Sequence, residues 1–144
     1  MRFIAVFLFL FSAVALANDI KLACTISGKS FGVDETEEYQ ITFNEKEKRV
    51  CTNYPCRRSD TYKAGESITY EGYKNRPTTN TVESWSKEII EFKSRSKATH
   101  TYTLDRTSGI LRYVFRGRNF EVKTNMEGPC KVVKKFQNEK ELKF

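Results

Sequence analysis

The chain has 144 residues, four cysteines and a formal net charge of +7 at pH 7, from 25 basic and 18 acidic residues. This length supplies one hydrophobic core and excludes a two-domain organisation. The basic excess favours an anionic partner, such as an acidic protein, a lipid headgroup, a phosphorylated glycan or a nucleic acid, although it also keeps many secreted domains in solution.

The N-terminal segment predicts export. Arg2 supplies a positive start, residues 3–14 are predominantly apolar, and residues 15–17 (Ala-Leu-Ala) have the small-x-small pattern of a cleavage site. We therefore predict a signal peptide over residues 1–17 and a mature chain that begins at Asn18 with a net charge of +6. The apolar run is shorter than the roughly 20 residues that span a bilayer, and no later stretch is as apolar. The predicted product is secreted or periplasmic and has no transmembrane segment after signal cleavage.

Apolar and polar residues alternate along most of the remaining chain, which is the pattern of half-buried β-strands. The last strands form an antiparallel meander. The fold class is therefore predicted as all-β, a single antiparallel barrel or sandwich of about eight short strands over residues 18–136, followed by a charged tail over 137–144. The predicted strands are 20–26, 39–43, 49–52, 67–70, 87–93, 98–104, 110–115 and a last one that starts at 120–123 and ends at 128–133.

Three segments between these strands have other signals. Residues 34–38 are an acidic run, predicted as a solvated loop, and residues 74–81 lack a large apolar residue, which predicts a long mobile loop. Residues 82–92 fit helical and strand spacing alike, and their β-branched centre favours a strand. The only tryptophan, Trp85, falls there and is expected to pack in the core or at its rim.

Four cysteines in an exported chain predict two disulfides, because that compartment lets thiols oxidise. Spacing alone leaves three pairings open. We favour Cys51 with Cys56 across a short loop, and Cys24 with Cys130 between the first and last strands. The second link would close a loop of about 105 residues, to which the chain-entropy model assigns about 4 to 5 kcal/mol. Zinc is the alternative, but only one close cysteine pair exists where a structural site has two, so we predict no metal and no other cofactor.

The segment 54–58, which begins in the Cys51–Cys56 loop, carries the residues predicted to bind a partner. Pro55 interrupts strand pairing, so the loop is expected to protrude, and Arg57 and Arg58 follow it directly, so that the segment displays them together with Tyr54. Tyrosine and arginine are enriched at binding hot spots because they combine a large contact area with forked hydrogen bonding. An ordinary exposed turn is the alternative interpretation.

His100 is the only histidine, and thus the only candidate base for a serine or cysteine nucleophile. Strict alternation puts it on the same face as Tyr102 and Leu104, which predicts an inward, hydrogen-bonded side chain. Basic residues such as Arg112 interleave with aromatic ones such as Tyr113, but alternation puts them on opposite faces, which disfavours nucleic-acid binding.

Carboxylate pairs offer the other route to catalysis. Glu37 with Glu38, or Glu88 with Glu91, would have to face each other across a cleft to hydrolyse a glycoside. The sequence has no glycine-rich phosphate loop, no paired metal-binding histidines and no nucleophile elbow. We therefore predict that the protein is not an enzyme, with a small secreted hydrolase as the alternative.

Three segments of the chain resemble a pattern found in small exported proteins of bacteria and their phages. They are residues 20–24 (IKLAC), 104–111 (LDRTSGIL) and 128–131 (GPCK). The resemblance implies a β-domain with a cysteine near each end and implies no activity. The expected function is non-catalytic binding that inhibits or modulates an envelope or extracellular protein, and polyanion binding is a further alternative.

Overall fold

The structure, a computed structural model, describes residues 19–136. These residues confirm the prediction of an all-β antiparallel domain with two disulfides. The predicted signal peptide over 1–17 and the predicted tail over 137–144 lie outside the described residues. Two short 3₁₀ turns, Arg58–Asp60 and Tyr73–Asn75, accompany ten strands. The strands are β1 (Ile20–Ser30), β2 (Val33–Asn44), β3 (Arg49–Cys51), β4 (Thr61–Lys63), β5 (Ile68–Glu71), β6 (Pro77–Trp85), β7 (Ile89–Arg95), β8 (Thr99–Asp105), β9 (Ile110–Arg116) and β10 (Val122–Val133).

All ten strands belong to one sheet, in the order β4-β3-β2-β1-β10-β9-β8-β7-β6-β5. The sheet curls into a nearly closed barrel, so that β4 at one edge lies against β6 near the other. Asn80 of β6 bridges the seam: its Nδ2 donates to the carbonyl oxygens of Ser59, at 2.9 Å, and Thr61, at 3.1 Å. A side chain thus joins the two edges of the sheet.

Ten strands, rather than about eight, follow from two segments that sequence patterns do not mark. Residues 74–81, predicted as a mobile loop, instead contain the first half of β6, where threonines such as Thr79 and Thr81 pair with β5 or β7. Threonine is β-branched and suits a pleated surface without being apolar. The three residues of β4 are too few to show a period.

The prediction that residues 34–38 form a loop is wrong. They belong to β2 and pair along β1, with Glu37 opposite Ile26 and Glu35 opposite Gly28. Strand pairing uses backbone groups, so charged side chains are compatible with it where one or both faces remain in water. This half of β2 therefore extends the sheet beyond the core.

Alternate residues of each strand fill the barrel interior, as the period of two requires. Leu22, Cys24 and Ile26 are buried, which confirms the predicted first strand. Phe92 and Tyr102 stack with ring centroids 5.0 Å apart. Each such large buried side chain contributes roughly 1.5 to 3 kcal/mol. The innermost side chains are Phe92, Ile26, Ile41, Ile90, Leu111, Met126 and Val50.

Both predicted disulfides are confirmed. Cys24 and Cys130 occupy directly opposite positions of β1 and β10, with a Cα–Cα distance of 4.0 Å. Gly128 lies close by, and a Cβ atom there would collide with the Thr25 carbonyl, so the two strands approach closely. Cys51 and Cys56 close the short loop after β3. Within residues 19–136, no helix has the length and apolarity needed to cross a bilayer.

Candidate ligand-binding site

The two ends of the barrel differ. At the end formed by the turns after β2, β6 and β8, Arg106 lies over the ring of Phe43, with its Cζ 5.6 Å from the ring centroid. Its Nη2 is 3.0 Å from Glu45 Oε2, and its Nη1 donates to the Ser86 carbonyl at 2.7 Å. This hydrogen-bonded arginine covers that end, beside an apolar cavity of about 280 Å³. We call it the covered end.

The opposite end, which we call the open end, contains two adjoining cavities of about 360 Å³ and about 290 Å³. Tyr70, Ser94 and His100 line both of them. Aromatic and hydroxyl side chains dominate the remaining lining, with Arg76 as a cation at the larger cavity and Asp60 as an anion at the smaller one. The larger cavity is completed by Tyr73, Thr78 and Phe115, among others, and the smaller one by Tyr39, Tyr62 and Tyr102, among others.

The strand register explains why polar groups gather there. Ser94 of β7 is directly opposite His100 of β8, which is opposite Phe115 of β9. One step deeper, on the same inward face, the corresponding residues are Phe92, Tyr102 and Tyr113. The inward face therefore changes from apolar and aromatic in the core to polar at the open end.

His100 is half-buried among aromatic rings. Its Nδ1 is 2.8 Å from the Tyr113 hydroxyl, and its ring lies 4.7 Å from that of Phe115, centroid to centroid. This confirms the prediction of an inward, hydrogen-bonded histidine. Burial lowers the pKa of His100, so the imidazole is neutral at neutral pH. Within residues 19–136, Nε2 has no hydrogen-bond partner, which leaves it for a ligand.

The tyrosines of the open end are neutral as well. The Tyr39 hydroxyl donates to Glu37 Oε2 at 3.1 Å, and burial, followed by the charge of Glu37, raises the pKa of Tyr39 above its ordinary range. The same two causes raise the pKa of Tyr113 to about 12, and burial raises the pKa of Tyr62 and Tyr102. These phenol groups therefore line the cavity as hydrogen-bonding groups and do not act as bases.

The lowered pKa of His100 predicts an acid-sensitive stability. The unfolded chain binds the histidine proton near pH 6.5 and the folded protein only at lower pH. The free energy of unfolding should therefore be fully retained above pH 6.5 and should decrease as the pH falls from there towards the folded pKa. The measurement is urea unfolding at neutral pH and at about pH 5.5, above the range where ordinary carboxylates titrate.

The control is His100→Gln, which keeps a hydrogen-bonding side chain and removes the titration. Because the chain has one histidine, no other imidazole contributes. An equal loss of stability in both proteins over this interval would contradict the prediction.

The residues predicted to bind a partner do not line these cavities, although Thr52 and Asn53 of the same loop border the smaller one. The ring of Tyr54 packs against Phe136, with centroids 5.5 Å apart, and lies under Lys21 Nζ at 5.5 Å. Arg58 donates from Nε and Nη2 to the carbonyl oxygen of Thr69, both at 3.2 Å. Arg57 is exposed. Two of the three side chains thus have structural contacts, and binding at this loop stays a prediction.

The acidic pairs do not form one site. Glu37 and Glu38 are consecutive in β2, so their side chains point to opposite faces. Glu91 lies on the outer face of β7 and pairs with Lys93 at 3.3 Å, and Glu88 is in the turn before that strand. Glu37 is the member of these pairs that contacts a residue of the open-end cavities.

Sequence reasoning missed Tyr70 and Arg76 as site residues. Both flank Gly72 in a stretch whose strands are short, and Arg76 fell in the segment predicted as a loop. A tyrosine-rich segment next to a glycine and an arginine was the available signal. Tyr70 and Arg76 lie near Ser94 and His100 because the sheet from β5 to β8 is curved, and the sequence does not show that curvature.

These observations define a disulfide-linked antiparallel barrel, covered at one end and open at the other onto a polar, aromatic cavity. Comparisons with protein-family models, curated protein sequences and solved structures find no match to this chain. All four cysteines are in disulfides. Across the described part of the chain, no three His, Cys, Asp or Glu side chains are grouped to hold a metal ion.

Proposed function

We propose that this protein is a non-catalytic binding protein of the periplasm or the extracellular space, and that its ligand enters the open-end cavities. The observation that carries the proposal is the pair of adjoining cavities, of which the larger has a volume of about 360 Å³. Small-molecule sites typically have about 300 to 1,000 Å³ and occur in the mouths of β-barrels. Such sites usually combine apolar and aromatic side chains with a small number of polar groups.

The lining favours a ligand with a ring and an anionic group. Tyr73 and Phe115 supply ring faces, while Ser94 and His100 supply hydrogen-bonding groups. Within residues 19–136, no hydrogen bond or ion pair engages the guanidinium of Arg76, which lines the larger cavity. A guanidinium binds carboxylate, sulfonate or phosphate groups through two parallel hydrogen bonds.

The compartment is supported by the two disulfides, since such links persist in oxidising environments and are rare in the cytosol. The predicted signal peptide points the same way. In such a compartment the two disulfides would remain oxidised and would hold the barrel and its cavity in shape.

The test uses 8-anilinonaphthalene-1-sulfonate, a probe that has aromatic rings and one anionic group. We expect saturable binding to the folded protein, seen as enhanced fluorescence. Arg76→Gln should weaken binding by roughly tenfold, as expected for the loss of a charge-assisted contact. Ala98→Trp, at the wall of the larger cavity, should weaken it by occupying the space.

Arg57→Gln is the matched control, because it removes an exposed arginine from the outside of the barrel and should leave binding unchanged. Circular dichroism verifies that each variant is folded. Unchanged affinity in both Arg76→Gln and Ala98→Trp would overturn the proposal.

A second candidate is inhibition or modulation of an envelope or extracellular protein through the Cys51–Cys56 loop. The observation in its favour is Arg57, which directly follows the closed loop, is exposed, and has a guanidinium without a partner within residues 19–136. Tyr54 and Arg58 have intramolecular contacts, so Arg57→Ala is the cleaner variant than the triple replacement. Capture of a partner from secreted or envelope fractions should then be lost in Arg57→Ala and kept in Arg76→Gln.

A further inference from the structure

Two neighbouring hairpins at the open end have apolar side chains at their tips. Phe31 and Val33 lie at the β1–β2 turn, with 68% and 61% of their surface exposed. Phe120 and Val122 lie at the β9–β10 turn, with 77% and 49% exposed. We call these four residues the hairpin-tip cluster. Large apolar side chains at such exposure are costly in water unless something covers them.

Both phenylalanines also occupy strained backbone positions. Phe31 has φ = 49° and is followed by Gly32 with φ = 81°, so the two-residue turn has positive φ at both positions. Asparagine followed by glycine is the preferred pair in such a turn. Phe120 has φ = 62°, again a conformation that bulky side chains rarely adopt. Solvent exposure and positive φ both disfavour phenylalanine at the two tips. Neither the solubility of the protein nor the formation of the turns therefore explains why phenylalanine is present there.

The two tips belong to one surface. The backbone N–H of Phe31 donates to the carbonyl oxygen of Lys123, just after the second tip, at 2.7 Å. The ring of Phe31 also lies 6.0 Å from that of Phe115, centroid to centroid. The cluster therefore projects from neighbouring parts of the same end.

Basic residues outnumber acidic ones at this end of the barrel. In and beside the four turns of the open end, eight basic residues accompany four acidic ones. Three of the basic residues are ion-paired, Lys29 with Asp34 at 2.8 Å, Lys123 with Glu121 at 3.3 Å and Arg95 with Glu83 at 2.8 Å. Arg118 at the second tip is exposed, and its guanidinium has no partner within residues 19–136. The basic residues are Lys29, Lys74, Arg76, Arg95, Lys97, Arg116, Arg118 and Lys123, and the acidic ones are Asp34, Glu35, Glu71 and Glu121.

We propose that the hairpin-tip cluster docks this protein on an anionic lipid surface, with Phe31 and Phe120 inserted at the level of the headgroups. Apolar side chains at projecting tips, surrounded by cations, match the two forces that hold peripheral proteins on membranes: apolar burial and attraction to anionic headgroups. A protein partner of standard size would need a contact of about 800 Å² on each side, which favours a broad face over two narrow tips. The cavity and its ligand are not required for this docking.

The test measures sedimentation of residues 18–144 with two kinds of vesicle, phosphatidylcholine alone and phosphatidylcholine mixed equally with phosphatidylglycerol. We expect binding to the anionic vesicles, and weaker binding at high salt because screening reduces the attraction. Phe31→Asn and Phe120→Asn should each weaken binding by roughly tenfold or more, from the lost burial of one aromatic side chain.

These variants separate docking from folding. Asparagine suits a left-handed position better than phenylalanine, so both variants should keep or raise the melting temperature while losing vesicle binding. Val132→Thr is the control, because Val132 is 74% exposed at the other end of the strand that follows Phe120, and it should bind vesicles as the wild type does.

Three outcomes would overturn the proposal. The first is equal binding to both kinds of vesicle, and the second is undiminished binding by the double variant Phe31→Asn/Phe120→Asn. The third is a wild-type protein that is dimeric in sedimentation velocity while the double variant is monomeric, which would assign the cluster to contact with a second copy of the chain. Loss of 8-anilinonaphthalene-1-sulfonate binding at Ala98→Trp with vesicle binding retained would keep the cavity and the docking surface distinct, because Ala98 lines the cavity and carries no charge.

Discussion

Replacing both Cys24 and Cys130 with alanine is expected to lower the free energy of unfolding by about 4 to 5 kcal/mol. The disulfide joins positions 106 residues apart, so its loss releases nearly the whole domain in the unfolded state. Cys24 is also only 1% exposed, so its truncation adds the cost of a small cavity in the core. Urea unfolding of the oxidised proteins measures the difference. The free energy of unfolding should also depend more steeply on urea concentration, because the unfolded chain without this disulfide exposes more surface.

The matched control is the double variant Cys51→Ala/Cys56→Ala. That disulfide joins residues only five positions apart. The same entropy model assigns it about 2 kcal/mol, so the variant should remain folded and unfold at a higher urea concentration than the first. Equal losses from the two double variants would show that loop length does not determine how these disulfides stabilise the barrel.

Asn80→Leu is expected to destabilise the protein by about 3 kcal/mol, since two hydrogen bonds are lost and two carbonyl groups lose a donor. Asn80 is fully buried, and its Nδ2 donates to Ser59 and Thr61 across the seam of the barrel. Leucine has the same branched arrangement of heavy atoms and is somewhat larger than asparagine, so the loss does not arise from a cavity. Chemical unfolding measures it, and hydrogen exchange should show that the amides of β4 and β5 lose protection first.

Asn125→Leu is the control, because Asn125 is an exposed asparagine of β10, and a change within about 0.5 kcal/mol is expected there.

Asn80→Asp gives a second measure of the same contact. The Oδ1 atom of Asn80 has no hydrogen-bond partner among the described residues, so a carboxylate there would be buried and unpaired. Its destabilisation should exceed that of Asn80→Leu at neutral pH and should diminish on acidification. A stability of Asn80→Leu equal to wild type would refute the role of this side chain in closing the sheet.

Local patterns in the sequence predicted the strands whose inward side chains are apolar. The alternation of Leu22, Cys24 and Ile26 indicated β1, and β8 and β9 were likewise recognised because one face of each strand packs in the core. The same rule predicted that His100 points inward. The cysteine pairing followed from position, since Cys24 and Cys130 lie in the first and last predicted strands.

Strands without that signal could not be predicted. The acidic half of β2 and the threonine-rich start of β6 are held by backbone pairing with their neighbours, which leaves no trace in the order of apolar residues. The tip residues Phe31 and Phe120 were visible in the sequence, but their exposure and backbone conformation were not.

An all-β domain with two disulfides could be predicted from the amino-acid sequence, because the alternation of apolar residues and the positions of four cysteines are local features of the chain. Three features became visible only in the folded barrel: the sheet closes through Asn80, Arg106 covers one end, and Tyr70, Arg76 and His100 meet at the other. Those features depend on the curl of the whole sheet, which brings together residues from strands that have no common local pattern.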